Sequence, residues 1–297
     1  MYYLLNINIL CAILSILIMQ EICPQVLAES EGVIIALSRE AEKTKDIQGL
    51  RHRAEERETE AQMQLAICYY HGNGIPQDYE EAFQWALRAA IQGNDEAEDF
   101  VGMCYLQGKG VEKLPTEGVK WLLKAAYQGN AESQTTLGII YEFGEEGVPQ
   151  DMNKAGHLYV QAAKQGNTQA RCMLGRYILL RQGEPWHTKK GKFAINLIEQ
   201  AANEGDPIAY EMIGFMYYWG IMGKKEDHAE AAKWLENGLK CAKFLLAMMY
   251  WNGDGVKQDR SKALELMSEA ATTYHMADKI YNDMLFFNKQ RTQDSKQ

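Results

Sequence analysis

The sequence predicts an all-α fold, a solenoid of helix pairs, on three observations. A pentapeptide ending in tyrosine returns at a fixed interval: Leu65-Ala-Ile-Cys-Tyr69, Val101-Gly-Met-Cys-Tyr105 and Leu137-Gly-Ile-Ile-Tyr141 set their tyrosines 36 residues apart. A hexapeptide closes each unit: Ala89-Ala-Ile-Gln-Gly-Asn94, Ala125-Ala-Tyr-Gln-Gly-Asn130 and Ala162-Ala-Lys-Gln-Gly-Asn167. Within a unit the apolar residues share one helical face, as Ala61, Leu65, Cys68 and Tyr69 do at i, i+4, i+7 and i+8. A fixed period of this size marks a repeat array, in which each unit buries its apolar face only against its neighbours.

The chain of 297 residues starts with an apolar run, Leu4 to Met19, followed by Pro24 and Val26-Leu-Ala28. A short apolar core, a breaker and a small-residue site indicate a secretory signal peptide, residues 1–28, cut after Ala28. The run, about 16 residues, is shorter than the ~20 that span a bilayer comfortably. An uncleaved signal anchor is the alternative, and this segment is then the expected link to a membrane. Residues 29–58 form an N-terminal capping helix, with Ala54 in phase with Ala90.

Six units follow, 59–94, 95–130, 131–167, 168–206, 207–240 and 241–276. In the first, a helix over Glu60 to His71 stops at Gly72-Asn-Gly74, where glycine supplies a left-handed backbone. Asp78 caps a second helix, with Glu80 and Glu81 opposing its dipole. That helix turns Ala82, Phe83, Trp85, Ala86, Ala89 and Ala90 to the core and ends at Gln92-Gly-Asn94. The fourth unit stretches through Arg181 to Gly191 and displaces its tyrosine, Tyr177, by one position. The fifth loses the closing hexapeptide. The sixth recovers Tyr250, Gly253-Asp-Gly255, Asp259 and Ala270-Ala271. Residues 277–297 are a C-terminal capping helix and a polar tail.

Cys68, Cys104, Cys172 and Cys241 each lie in a different unit. Equivalent positions on stacked helices are about 8–10 Å apart, beyond the ~7 Å Cα separation that a disulfide bridges. Buried free thiols are therefore expected. With 31 basic and 40 acidic residues, the net charge of −9 lacks the positive footprint of a nucleic-acid partner. The histidines are scattered, without an HExxH or CxxC spacing, so neither metal nor cofactor is expected. Gly72-Asn-Gly74 and Gly253-Asp-Gly255 follow helices rather than strands and lack the lysine of a phosphate loop. The sequence contains no Ser-x-x-Lys partnered by Ser-Asp-Asn and Lys-Thr-Gly, and no catalytic residue is expected.

Residues 59–276 resemble the Sel1-like repeat family, a branch of the tetratricopeptide-like α-solenoids. Ala61-Gln62, Leu65, Tyr69, Gly72, Gly74, Asp78, Ala82, Trp85, Ala89-Ala90 and Gly93-Asn94 carry the family pattern, as does Gly147-Val-Pro-Gln-Asp151 in the third unit. The resemblance implies a right-handed α-solenoid superhelix of about six helix-turn-helix repeats and, from the family's distribution, a bacterial source. It also implies a non-enzymatic interaction scaffold, periplasmic or secreted, that binds a protein or peptide on its concave face. In such solenoids the first helix of each pair tends to line that face. One and two residues beyond the tyrosine the family pattern leaves the choice free, and this chain places Tyr70, His71, Leu106, Gln107, Glu142, Phe143, Tyr218, Trp219, Trp251 and Asn252 there. Tyr70, His71, Phe143, Tyr218, Trp219 and Trp251 are the expected anchors, joined by Trp186 in the insertion, because aromatics supply most hot-spot energy. Packing beneath the next repeat is the alternative for these side chains.

Cysteine-rich relatives in the same family are described as penicillin-binding or β-lactamase-like. They leave a cell-wall enzyme or peptidoglycan-binding protein as the alternative function, although this chain lacks their regular cysteine pairs. A lumenal adaptor of the degradation machinery is a third reading. It would be expected to end in a retention tail, whereas the sequence closes in Asp294-Ser-Lys-Gln297.

Overall fold

The structure, a computed structural model, describes residues 46–271, 280–282 and 284–285. The signal segment 1–28, residues 29–45 of the N-terminal cap and the rest of 272–297 lie outside them. The helices in order are α1 (Ile47–Glu55), α2 (Thr59–His71), α3 (Tyr79–Ile91), α4 (Asp95–Gln107), α5 (Pro115–Gln128), α6 (Ala131–Phe143), α7 (Met152–Lys164) and α8 (Thr168–Arg176). A π-helical turn, Tyr177–Arg181, continues α8. Then come α9 (Lys189–Asn203), α10 (Pro207–Trp219), α11 (His228–Leu235), α12 (Lys240–Asn252) and α13 (Arg260–Ala271). Among the described residues there is no strand, only an isolated bridge between Glu145 and Val148. The fold is all-α, an α-solenoid of consecutive helix pairs.

The chain divides into one unit that ends at Ala170 and another that begins at Arg171. The first has a core running from Leu50 and Ala54 through Leu65, Ile67, Phe83 and Trp85 to Phe100. The second packs Leu235, Leu246 and Met249 in one cluster and Ala263, Met267 and Met284 in another.

The closing hexapeptide of each repeat has a physical explanation. Its glutamine reaches back to the first helix of its own repeat: Gln92 Nε2 donates to Gln62 Oε1 at 2.7 Å, Gln128 Nε2 to Glu98 Oε2 at 2.8 Å, and Gln165 Nε2 to Gln134 Oε1 at 2.8 Å. Its glycine ends the helix in the left-handed region, with φ of +85° at Gly93, +104° at Gly129 and +92° at Gly166. Its asparagine caps the following helix, accepting from Ala97 N at 2.7 Å, Ser133 N at 2.9 Å and Ala170 N at 2.7 Å. Asp206 does the same for Ala209 N. Asn130 also donates to Asp95 Oδ2 at 3.1 Å, which ties successive first helices together. Asn130→Ala will therefore cost about 1–2 kcal/mol, read as a lowered urea midpoint; an unchanged midpoint would contradict this role.

The recurrent tyrosine contributes its backbone as well as its ring. The amide opening the second helix donates to its carbonyl in five repeats: Asp78 to Tyr69 at 2.9 Å, Leu114 to Tyr105 at 2.9 Å, Asp151 to Tyr141 at 2.7 Å, Asp227 to Tyr217 at 2.9 Å and Asp259 to Tyr250 at 3.0 Å. Asp78 Oδ1 then caps Glu80 N and Glu81 N, and Asp151 caps Asn153 N and Lys154 N. Four of the five turns thus use one aspartate both to close the loop and to start the helix.

α1 behaves as the second helix of a preceding half-repeat. Gln62 Nε2 donates to the Ala54 carbonyl at 3.0 Å, as Gln134 Nε2 does to that of Ala126 at 3.1 Å. The left-handed slot after α1, however, holds Arg57 at φ +67° where later repeats have glycine, a conformation that strains a residue with a Cβ by about 1–2 kcal/mol. In the fourth repeat the displaced tyrosine coincides with the π-helical turn Tyr177–Arg181. A π turn takes an extra residue into the helix, so the added length begins inside the helix as well as in the 182–188 loop.

Cys68, Cys104 and Cys172 are buried free thiols. Burial pushes the Cys104 thiol up to about 12 and Cys172 well above the ordinary range. Such groups are core residues rather than thiolate nucleophiles. The Cys241 side chain lies outside the described residues.

Candidate protein-binding surface

The first helices of the first unit are buried around almost their whole circumference. In the slot directly after the tyrosine, Tyr70, Leu106 and Glu142 therefore follow the packed alternative, and Tyr70 is core rather than an exposed anchor. Tyr70 is 4% exposed, with ring centroids 5.3 Å from Phe100 and 5.1 Å from Tyr79, both edge to face. Lys109 Nζ donates to its hydroxyl and lies 4.8 Å from its ring centroid. The residue after the tyrosine is rotated about 100° further around the helix, which turns it under the next repeat. Leu106 is buried in the same slot, and so is Glu142, whose Oε2 accepts from the buried Tyr159 hydroxyl at 2.8 Å. His71 and Phe143 are half-buried, and His71 meets Tyr70 edge-on at 5.1 Å.

In the second unit the same slots are less deeply buried: Tyr218 and Trp251 are half-buried, and Trp219 and Asn252 are exposed. α10 ends in Tyr218 and Trp219, whose rings meet edge to face at 4.8 Å. Trp219 is 40% exposed. His228, the first residue of α11, stacks on Tyr218 at 4.5 Å with an interplanar angle of 16°. Its Nδ1 pairs with Asp254 Oδ1, and its Nε2 lies 3.2 Å from Glu226 Oε1. The Tyr218 hydroxyl donates to Asp254 Oδ2 at 3.2 Å. Burial, then the Asp254 carboxylate, raises the Tyr218 pKa and keeps the phenol a neutral donor. The Gly253-Asp-Gly255 turn thus clamps the end of the preceding repeat, a structural use of a motif that loosely resembles a phosphate loop.

Trp186, in the insertion, is 44% exposed, and its ring covers Gly223 in the loop after α10. Lys224 in that loop reaches Glu199 Oε1 on α9 at 2.7 Å. Burial lowers its pKa, but the Glu199 carboxylate outweighs it and leaves the ammonium raised. Insertion, loop and α9 therefore hold together with two tryptophans partly open to solvent. Trp251 is half-buried under Arg260, whose Cζ lies 5.0 Å from its ring centroid. Among the described residues no group of three or more His, Cys, Asp or Glu is arranged to hold a metal ion.

Sequence reasoning passed over the slot before the closing glutamine. It holds Ile91, 70% exposed, and Tyr127, 94% exposed. The signal was present: apolar residues in a position that the repeat leaves variable.

Consecutive helix pairs with aromatics at the outer ends of their helices define a helical-repeat scaffold. The Sel1 repeat family matches residues 59–94, 95–130, 131–167, 168–206, 207–238 and 242–272. The chain belongs to that family, whose repeats serve as protein-interaction scaffolds. Its fold is similar to that of a protective antigen of uropathogenic Escherichia coli strains displaying an SLR fold, 28% identical with a TM-score of 0.66 over 88% of this chain and 56% of that one. It is also similar to a Sel1 repeat protein from Oxalobacter formigenes, 27% identical with a TM-score of 0.61 over 73% of this chain and 88% of that one. A curated relative, the ERAD-associated E3 ubiquitin-protein ligase component HRD3B of Arabidopsis thaliana, is 36% identical over 77 residues. That match takes in 25% of this chain and 12% of the relative's length.

Proposed function

We propose that the protein is a non-enzymatic scaffold that acts outside the cytoplasm and holds a protein partner on the Trp186 and Trp219 surface of its second unit. The observation that carries this reading is the pair of tryptophans left partly exposed beside α9, α10 and the Trp186–Gly223 contact. Two large aromatics, each with few rotatable bonds for its contact area, anchor a partner at low entropic cost. Export rests on the apolar run from Leu4 to Met19 and the Val26-Leu-Ala28 site; N-terminal sequencing of the mature protein is expected to begin at Glu29. A protein or peptide, rather than nucleic acid, suits the net charge of −9.

The test is affinity capture from the compartment in which fractionation finds the mature chain. The double variant Trp186→Ala with Trp219→Ala is expected to lose a specific partner by more than about tenfold while its far-UV dichroism stays unchanged. Equal capture by both proteins would remove the assignment of the surface.

A further inference from the structure

In the first unit the ends of α1 and α3 and the start of α2 enclose a groove of about 470 Å3. Its amides satisfy one another. Gln92 Nε2 donates to Gln62 Oε1 at 2.7 Å and to the Arg88 carbonyl at 3.2 Å, and Gln62 Nε2 donates to the Ala54 carbonyl. The charged lining is Arg57, Arg88 and a single carboxylate, Glu55, with the exposed Ile91 beside them. Among the described residues neither guanidinium lies within ion-pair distance of a carboxylate. Arg88 rests on the Trp85 ring, with Cζ 4.2 Å from its centroid.

Arg57 is the unexpected member. Its amide donates to the Ala54 carbonyl at 3.1 Å, as Gly93 N does to that of Ala90 at 3.0 Å, so the two residues occupy the same slot. Gly93, Gly129, Gly166 and Gly205 fill that slot later in the chain, all with positive φ. Helix-end electrostatics favour a cation in the last turn of a helix. That explains Arg88 on α3, and α1 already carries Arg53 in its last turn. It does not call for a side chain at a left-handed position where glycine is unstrained. A strained residue aimed into a groove points to function.

We propose that this groove docks an acidic peptide segment of a partner protein, with a carboxylate held between Arg57 and Arg88 and a neighbouring apolar side chain against Ile91. Guanidinium pairs suit carboxylates through bidentate, charge-assisted hydrogen bonds. The charge balance of the lining, two cations to one anion, selects an acidic occupant. An anionic bilayer fits less well, because electrostatic membrane docking draws on clusters of about 4–8 basic residues. One repeat further on, the same two slots hold Lys124 and Tyr127, both exposed, and a longer segment meets a second cation–apolar pair there. The proposal concerns the first unit and stands independently of the Trp186 and Trp219 surface.

The experiment is fluorescence anisotropy of the purified chain with a fluorescein-labelled peptide alternating Asp or Glu with Leu and Phe. A matched peptide carrying Lys at the acidic positions and vesicles of phosphatidylglycerol serve as alternative probes. The acidic peptide is expected to bind and the lysine peptide not. Arg88→Glu is expected to weaken binding by about tenfold or more, as the loss of a charge-assisted pair predicts. Arg57→Gly separates binding from folding: its urea midpoint is expected to equal or exceed that of the parent, because the strain is relieved, while peptide affinity falls. Equal binding of both peptides, or affinity untouched by Arg57→Gly and Arg88→Glu, overturns the proposal. So does binding confined to vesicles, or self-association that Arg88→Glu abolishes, since each assigns the groove to a different occupant.

Discussion

Gly110→Ala will destabilise the chain by about 3 kcal/mol, whereas Gly93→Ala will cost about 1 kcal/mol. Both glycines are left-handed, with φ of +72° and +85°, so both substitutions incur the backbone strain of a Cβ in that region. They differ in the space around them. A Cβ on Gly110 would lie 1.9 Å from the carbonyl oxygen of Tyr79, the first residue of α3, whereas one on Gly93 meets nothing within 4 Å. The loop after α4 sits directly on the start of the preceding repeat's second helix, and backbone against backbone has no flexible end to move aside. A Cβ on the equivalent Gly255 would likewise lie 2.4 Å from the His228 carbonyl carbon. Urea denaturation followed by far-UV dichroism tests the pair; equal losses would show that conformation alone, and not the close approach, requires the second glycine of the turn.

Asp99→Asn will stabilise the protein above neutral pH and leave it unchanged near pH 4. Asp99 lies on α4 and is buried, where Ser133 Oγ on α6 donates to its Oδ1 at 2.5 Å. Burial raises the carboxyl from 3.8 to about 7; the Ser133 hydroxyl opposes this, and Glu132, Asp95 and Glu96 add to it. Between those two values the unfolded chain has released the proton and the folded chain has kept it. Stability therefore falls as pH rises through the window, and the full penalty stands above about pH 7. A shift of about three pKa units corresponds to roughly 4 kcal/mol at most. Asparagine keeps the acceptor for Ser133 and cannot ionise, so the variant's stability curve is expected to lie flat where the parent's declines. Parallel curves for the two proteins would rule out Asp99 as the titrating group. Asp206, raised to about 6 by burial, slopes the same way in the second unit and cancels in the comparison.

Much of this structure was legible in the residues. The punctuation of the helices is local chemistry: an Asx side chain captures the amides of the next turn, and glycine accepts the left-handed backbone that a helix end requires. Asp78, Asp151 and Asn130 therefore announce helix starts wherever they fall. The displaced Tyr177 announced an irregularity, and a π-helical turn is what the chain made of it.

The orientation of the slots was harder to read. Tyr70 was expected as an anchor and is core. The run Leu65-Ala-Ile-Cys-Tyr-Tyr70 is apolar on every side of the helix, which is the mark of a helix buried all round, but the repeat pattern alone assigns that slot no role. The identical slot in the fifth repeat holds Tyr218, which is half-buried, and it is the next position, Trp219, that is open. The first unit packs Phe100 and Tyr79 against Tyr70, and in the second unit His228 stacks on Tyr218 while Trp219 meets that ring edge to face and stays 40% exposed.

The sequence by itself determined the repeat, its helix boundaries and its caps, because these depend on interactions within a few residues of the chain. Only the tertiary structure decided which variable side chains are core and which are surface, and that Arg57 and Arg88, 31 positions apart, line one groove. Those outcomes depend on what the next repeat places opposite a side chain, and that partner is remote in sequence even though the repeat that carries it is regular.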